Sequence, residues 1–224
     1  MTIVECYLKA LQKAEENATN GGIKMDKARF IQLFNAEQVR LARSYLDMRN
    51  DNRIKNIQRL MVMSTPLVEK SELSDRKSST FSFPSDYMEF VNVYGVFSKD
   101  GCEATDFNLW ETKEEDVNEI FSDVFNKPDF EFRETFFTIG EDSVRVYKSD
   151  FDIVRISMSY YRYPRPVDIS GYIKPDGTAS VDIDPEMDDR FNEQVLNMIE
   201  KQFGLNESEY GRYSLDSNNV NSKL

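Results

Sequence analysis

The stretch "SMSYYRYPRPVDI", residues 157–169, decides how the second half of the chain is organised. Upstream of its prolines, side chains alternate with the period of a β-strand. One face of this predicted strand carries Val154, Ile156, Met158 and Tyr160, and the other carries Arg155, Ser157, Ser159 and Tyr161. Pro164 and Pro166 cannot donate the hydrogen bonds of a sheet, so the strand ends there and the chain continues as a stiff, extended segment.

The tyrosines and arginines of this stretch have two interpretations. They form either an aromatic, basic surface that stacks on nucleic acid or a strand followed by a rigid arm that contacts a neighbouring chain. Because the tyrosines alternate with apolar residues and follow a strongly acidic segment, we favour the strand and arm, with Tyr161 and Tyr163 exposed. A plain strand end remains the alternative. The expected subunit or portal interface comprises Tyr161, Tyr163, Pro164, Arg165 and Pro166.

Charge is distributed unevenly along the 224 residues, whose net charge is −12. Residues 1–65 carry 11 Lys and Arg against 7 Asp and Glu, whereas residues 101–143 carry 3 against 13. An acidic surface of this kind repels a nucleic-acid backbone. The N-terminal excess of positive charge is the one feature that favours a nucleic-acid binder.

The N-terminal third is predicted to be helical. Apolar residues recur at helical spacing in residues 2–17, again after a capping Asp26, and a third helix is expected over residues 53–63. Asp184 followed by Pro185 predicts the start of a C-terminal helix that runs to Gly204. Between these helices, residues 67–182 read as β-rich. Residues 82–97 suggest two short strands around a Pro-Ser-Asp turn, although Met88, Phe90 and Val91 would also suit a turn of helix, and alternation continues from Phe130 onward.

The predicted fold is therefore α+β: an N-terminal helical bundle joined to a small antiparallel β-domain, with the C-terminal helix packing back on the bundle. The corresponding boundaries are a helical part at 1–66, a β-rich domain with an acidic insert at 67–182, a helix at 183–204 and a flexible tail at 205–224.

The two cysteines, Cys6 and Cys102, are too few for a disulfide scaffold and favour a reducing compartment. Neither a secretory leader nor a membrane span is predicted.

The absence of histidine from the sequence limits the available chemistry. It removes Ser-His-Asp and Cys-His nucleophiles, histidine general bases and histidine metal ligands. A carboxylate-based hydrolase needs only two acids and remains the alternative function, although 40 acidic residues supply too many pairs to single one out. We predict no enzyme activity, no cofactor and no metal site.

Three short motifs occur in a recognisable order between residues 80 and 203. The first is a Pro-x-Asp-aromatic turn at Pro84, Asp86 and Tyr87, and the second is a strand ending in Tyr-x-x-x-Pro at Tyr160 and Pro164. The third is the run "DIDPEMDDRF" at residues 182–191, in which an Asp-Pro pair is followed by the aromatic Phe191. In this order the chain resembles the head-tail connector adaptors of short-tailed phages, the tail tubular protein A type, and in particular the ring proteins of crAss-like phages.

The resemblance implies a virion structural protein in the neck or tail region, assembled in the host cytoplasm. Such a protein forms a ring, twelve-fold in this family, below the portal, continues the DNA channel and attaches the tail. The implied partners are other copies of the chain, the portal protein and other tail or ring proteins. Genomic DNA passes through the ring without being bound specifically, and no membrane is involved. On this interpretation four N-terminal arginines face acidic surface of a neighbouring subunit or the portal: Arg40, Arg43, Arg49 and Arg53.

Overall fold

The computed structural model describes residues 1–17, 25–47, 55–70, 73, 75 and 77–202. The chain divides into two compact units. The helical unit comprises Met1–Arg59 together with Pro164–Leu224, and the sheet unit comprises Leu60–Tyr163. Within the sheet unit Met61 pairs with Tyr161, so the chain enters and leaves this unit on neighbouring strands. Closely spaced ends are typical of a domain inserted into another.

The predicted fold, a helical bundle joined to a small antiparallel β-domain, is wrong. The protein is a mixed α/β structure dominated by an eight-stranded, nearly closed sheet. Residues 61–66 form a strand where the end of a helix was predicted, and residues 105–111 form another within the acidic segment. Their alternating patterns are too short to be recognised, because each strand is stabilised by partners that are distant in sequence.

The eight strands have the order β1-β8-β4-β5-β6-β7-β3-β2, and every pair is antiparallel except β5 with β6. Their bounds are β1 Met61–Pro66, β2 Val68–Glu69, β3 Ser78–Ser82, β4 Tyr87–Ser98, β5 Thr105–Glu111, β6 Glu134–Ile139, β7 Ser143–Tyr147 and β8 Asp152–Arg162. The parallel pair places part of the acidic segment, residues 101–143, in the centre of the sheet.

Leu67 closes the sheet. Strands β1 and β2 stand at opposite ends of the strand order, yet only this residue separates them. The backbone N–H of Leu67 donates to the carbonyl oxygen of Ile156 on β8 at 2.9 Å, and the next residue, Val68, already pairs with Ser82 on β3. The two ends of the sheet are thereby held side by side, which leaves little free edge.

Strand β6 is covered on both of its faces. The inner face carries a core rich in aromatic side chains, in which the rings of Phe97 and Phe107 lie 4.4 Å apart. On β6, Phe136 and Phe137 point to opposite faces and are both buried. Phe136 packs outside the core with Tyr147 and with helix α3, Val117–Ser122. This double burial removes the alternation that marks a half-exposed strand.

The helical unit contains α1 (Ile3–Asn17), α2 (Lys27–Asp47) and α4 (residues 189–202). The predicted cap of α2 is confirmed, because Asp26 Oδ1 accepts the backbone N–H of Arg29 at 2.7 Å. The predicted start of the last helix is wrong. Asp188, not Asp184, caps α4 by accepting the N–H of Phe191 at 2.8 Å.

The predicted helix over residues 53–63 is also wrong. Lys55–Leu60 forms a short 3₁₀ turn, and strand β1 follows it directly. Within the helical unit, α4 contacts both earlier helices: the rings of Tyr45 and Phe191 meet edge to face at 6.0 Å, and Lys13 pairs with Glu200 at 3.1 Å. The tail predicted at 205–224 lies outside the described residues.

Replacing Gly95 on β4 with alanine is expected to destabilise the sheet unit by about 1–3 kcal/mol. A Cβ there would lie 2.7 Å from Cζ of Phe97 and 3.0 Å from Cδ1 of Ile156, and both side chains are fixed in the core. Chemical denaturation measures the change. Gly140→Ala is the matched control, because its Cβ would meet nothing nearer than 3.4 Å. Equal stability of the two variants would contradict this packing.

Candidate subunit interface

A hydrogen-bonded corner fixes the end of β8 in the sheet unit. The hydroxyl of Tyr160 donates to Asp86 Oδ1 at 2.9 Å, and the backbone N–H of Tyr163 donates to the carbonyl oxygen of Asp86 at 2.8 Å. Burial, reinforced by the hydrogen bond to the Asp86 carboxylate, raises the pKa of Tyr160 to about 12. The turn before β4 is closed by the N–H of Tyr87, which donates to Pro84 O at 3.1 Å. Two of the sequence motifs therefore meet in space.

The expectation that Tyr161 is exposed is wrong. Its residue exposure is 9%, and burial raises the pKa of its hydroxyl. The cause is that β8 lies between β1 and β4 and is covered on both faces from Ile156 to Tyr161. Tyr163 is half-buried, and Pro164 is buried. Of the five residues expected to form the subunit or portal interface, Arg165 and Pro166 are exposed.

In the helical unit, the segment after Pro164 is fastened to α2. The amide of Asn35 holds Val167 through both backbone groups: Nδ2 donates to Val167 O at 3.0 Å, and Oδ1 accepts the Val167 N–H at 2.8 Å. Gln38 donates to the carbonyl oxygen of Arg165 at 3.2 Å, and Glu186 accepts the Arg165 N–H at 2.8 Å. The backbone of this segment is therefore held rigidly while the side chains of its exposed residues remain in solvent.

A short hairpin, residues 168–183, follows this segment and is organised by the buried carboxylate of Asp168. Its oxygens accept hydrogen bonds from the hydroxyl of Tyr172 and from the ammonium of Lys174, both at 2.8 Å, and from two backbone N–H groups. Burial alone would raise the pKa of Asp168, but these hydrogen bonds outweigh burial and lower it to about 2. The hairpin is thus a rigid element.

An open groove of about 420 Å³ runs between α2 and this hairpin within the helical unit. Its lining is mostly apolar and includes Ile31, Pro166 and Ile183. The hairpin leaves branched aliphatic side chains in solvent, with Ile173 75% and Val181 53% exposed. Exposed aliphatic residues on a rigid element beside a groove are typical of a protein-protein contact. We name the groove and hairpin together the hairpin groove.

The predicted arginines are only partly described. Arg40 and Arg43 are exposed on α2, and Arg40 lies 3.5 Å from Glu37 Oε1. The other two, Arg49 and Arg53, lie outside the described residues. Arg165 is exposed on the fastened segment, and its guanidinium lies 3.9 Å from Glu186. The structure therefore places Arg40, Arg43 and Arg165 in the helical unit, each with an exposed side chain.

The described residues contain no group of three or more Cys, Asp or Glu side chains arranged to hold a metal ion. Hydrogen bonds lower the pKa of several described aspartates, so these carboxylates are ionised near neutral pH. Asp182 and Asp184 of the third motif accept backbone N–H groups from Ser170 and Ile3. These carboxylates hold the backbone in place.

No family model matches the chain, and no curated protein matches it. Among the helices of the described residues, none has both the length and the apolar character needed to cross a bilayer.

Sequence reasoning missed the hairpin groove, although a signal for it was present. Residues 174–178 read "KPDGT", a turn sequence in which glycine supplies the positive φ. Gly177 has a φ of 83°, and its N–H donates to Lys174 O at 2.9 Å. Recognising this turn would have predicted the hairpin. The exposure of Ile173 has no signal in the sequence.

Asp168→Asn is expected to lower the free energy of unfolding by about 1–3 kcal/mol near neutral pH, because it removes a charged hydrogen-bond acceptor. The folded pKa lies below the ordinary value of 3.8, so the stabilisation by Asp168 is complete above pH 4 and is lost as the pH falls toward 2. The gap in melting temperature between the natural chain and the variant should therefore close over this range. A gap that stays constant from pH 5 to pH 2 would contradict the role assigned to Asp168.

Proposed function

We propose that the chain is a virion structural protein, a head-to-tail connector that forms a ring below the portal, continues the DNA channel and attaches the tail. The ring is twelve-fold on the resemblance to the tail tubular protein A type. Its partners are other copies of the chain, the portal protein and other tail or ring proteins, and it lies in the neck or tail region of the virion.

The observation that carries the proposal is the contact between Asp86 and Tyr160. The resemblance depends on motifs in a fixed order, and the first two lie 74 residues apart. Their side chains meet at the corner where β8 ends, so these motif residues act together as a structural unit. The eight-stranded sheet departs from the small antiparallel β-domain predicted from the sequence. The proposal therefore rests on this corner and on the surface, not on the fold class.

The hairpin groove supports assembly into a ring. A ring needs a heterologous contact, in which one surface of a copy meets a different surface of the next. The groove offers a rigid, mostly apolar surface of this kind without any rearrangement of the backbone. Arg40 and Arg165 add exposed positive charge to the same unit, which suits an acidic neighbouring surface.

The charge of the two units is consistent with a channel protein. The sheet unit carries 11 Lys and Arg against 21 Asp and Glu, a net charge of −10, whereas the helical unit carries 17 against 19. A strongly acidic unit lets DNA pass without binding it. The N-terminal excess of positive charge favours a nucleic-acid binder, but acids elsewhere in the helical unit cancel it, so we do not propose one. No carboxylate pair among the described residues is singled out as catalytic, so we do not propose the hydrolase.

Native mass spectrometry of the purified chain, alone and mixed with its portal protein, tests the proposal. We expect rings or portal-bound rings from the natural chain, and their loss in Ile173→Asp, because a charge would be placed in the apolar contact. The matched control is Val68→Asp, since Val68 on β2 is 74% exposed and Ile173 is 75% exposed. A chain that stays monomeric with the portal present would refute the proposal. Equal assembly of both variants would refute the role of the hairpin groove.

A further inference from the structure

Three lysines gather at one end of the sheet in the otherwise acidic sheet unit. Lys77 precedes β3 and Lys148 follows β7, and the N–H of Lys148 donates to Lys77 O at 2.8 Å. Lys127 lies in the loop after α3, and the hydroxyl of Ser149 ties this loop to the end of β7 by donating to Pro128 O at 2.8 Å. The three side chains line one open cleft of about 500 Å³. We name it the lysine cleft.

The charge of Lys148 is poorly compensated. Its side chain is 19% exposed, yet its paired carboxylate, Asp152, lies 3.9 Å away and is itself 84% exposed. The pair with Asp152 is long and screened by solvent, so it compensates the charge of Lys148 only weakly. Lys77 lies over the ring of Phe121 at 5.1 Å, so its ammonium is held at the cleft by an aromatic face. The cleft therefore has positive charge available for an anion.

The two acidic residues that line the cleft are engaged elsewhere. Asp150 pairs with Lys99 at 2.6 Å, and this hydrogen bond lowers the pKa of Asp150. Asp129 Oδ1 accepts the backbone N–H groups of Glu131 and Phe132, at 2.7 and 3.2 Å. Both carboxylates are thus bound to groups other than the three lysines, which leaves the lysines for an external ligand.

The loop that supplies Lys127 also exposes large apolar side chains. Phe125 is 90% and Phe132 is 76% exposed. Both stand on turns closed by aspartates, because Asp123 Oδ1 accepts the N–H of Phe125 at 2.9 Å and Asp129 accepts that of Phe132. These turns fix the backbone and leave the rings in solvent. The loop that supplies Lys127 therefore carries two exposed rings on a backbone fixed by hydrogen bonds.

We infer that the lysine cleft binds a carboxylate-bearing, apolar peptide segment of a partner protein. The carboxylates of the segment would pair with Lys77, Lys127 and Lys148, and its apolar side chains would cover Phe125 and Phe132. The inference does not rest on the connector function. DNA is disfavoured, because the unit as a whole carries −10 and repels a polyanion, whereas a short acidic segment brings little charge. Free phosphate would leave the two exposed rings uncovered.

Fluorescence anisotropy with the intact chain tests the inference. The probe is a labelled peptide with blocked ends and the sequence Leu-Phe-Glu-Glu-Phe-Leu, and its counterpart carries Gln in place of each Glu. We expect the Glu peptide to bind at low ionic strength and to be released by high salt. Lys77→Gln combined with Lys127→Gln should weaken binding by about tenfold. The matched control is Lys113→Gln combined with Arg155→Gln, which removes two exposed positive charges of the same unit that do not line the cleft.

Unchanged melting temperatures establish that the variants are folded, since Lys77 and Lys127 are both exposed. Equal binding of the Glu and Gln peptides, or equal weakening by the Lys113→Gln and Arg155→Gln control, would overturn the inference. Competition with inorganic phosphate and with a DNA oligonucleotide completes the test. If either displaces the peptide from the cleft at a lower concentration than the unlabelled peptide does, the site is one for phosphate groups and the assignment to an acidic peptide is wrong.

Discussion

The pairing of β4 with β8 is the interaction on which the rest of the structure depends. It runs from Tyr87 opposite Arg162 to Ser98 opposite Asp152 and is the longest ladder of the sheet. Strand β1 is added to its outer side through β8, and β5 to its other side through β4. Because its partners lie more than 50 residues apart, forming it fixes the path of every segment between them. The corner at Asp86 and Tyr160 fastens one end of this ladder.

Local signals allowed part of the fold to be predicted from the sequence. The cap at Asp26, the turn around Pro84 and the end of β8 before the two prolines each depend on one residue type with one conformational preference. The strands β1, β2 and β5 could not be predicted, because they are defined by partners distant in sequence and not by their own patterns. Burial on both faces also erased the alternation that would have marked β6.

The surface was less predictable than the core. The prolines correctly indicated where β8 ends, but the exposure of Tyr161 was misjudged, since nothing in the sequence shows that β8 is covered on both sides. The hairpin groove had a local signal in its turn. The lysine cleft had none, because its three lysines come from separate segments that only the closed sheet brings together.

The sheet unit carries strong negative charge, and the helical unit presents an apolar groove. Both features suit a protein that packs against copies of itself around DNA that it does not bind. Electron cryo-microscopy of the virion neck tests this most directly. We predict a ring between portal and tail into which this chain fits, with Ile173 covered by the neighbouring copy. A neck whose density is fully explained by other chains, or a ring that leaves Ile173 in solvent, would contradict the account.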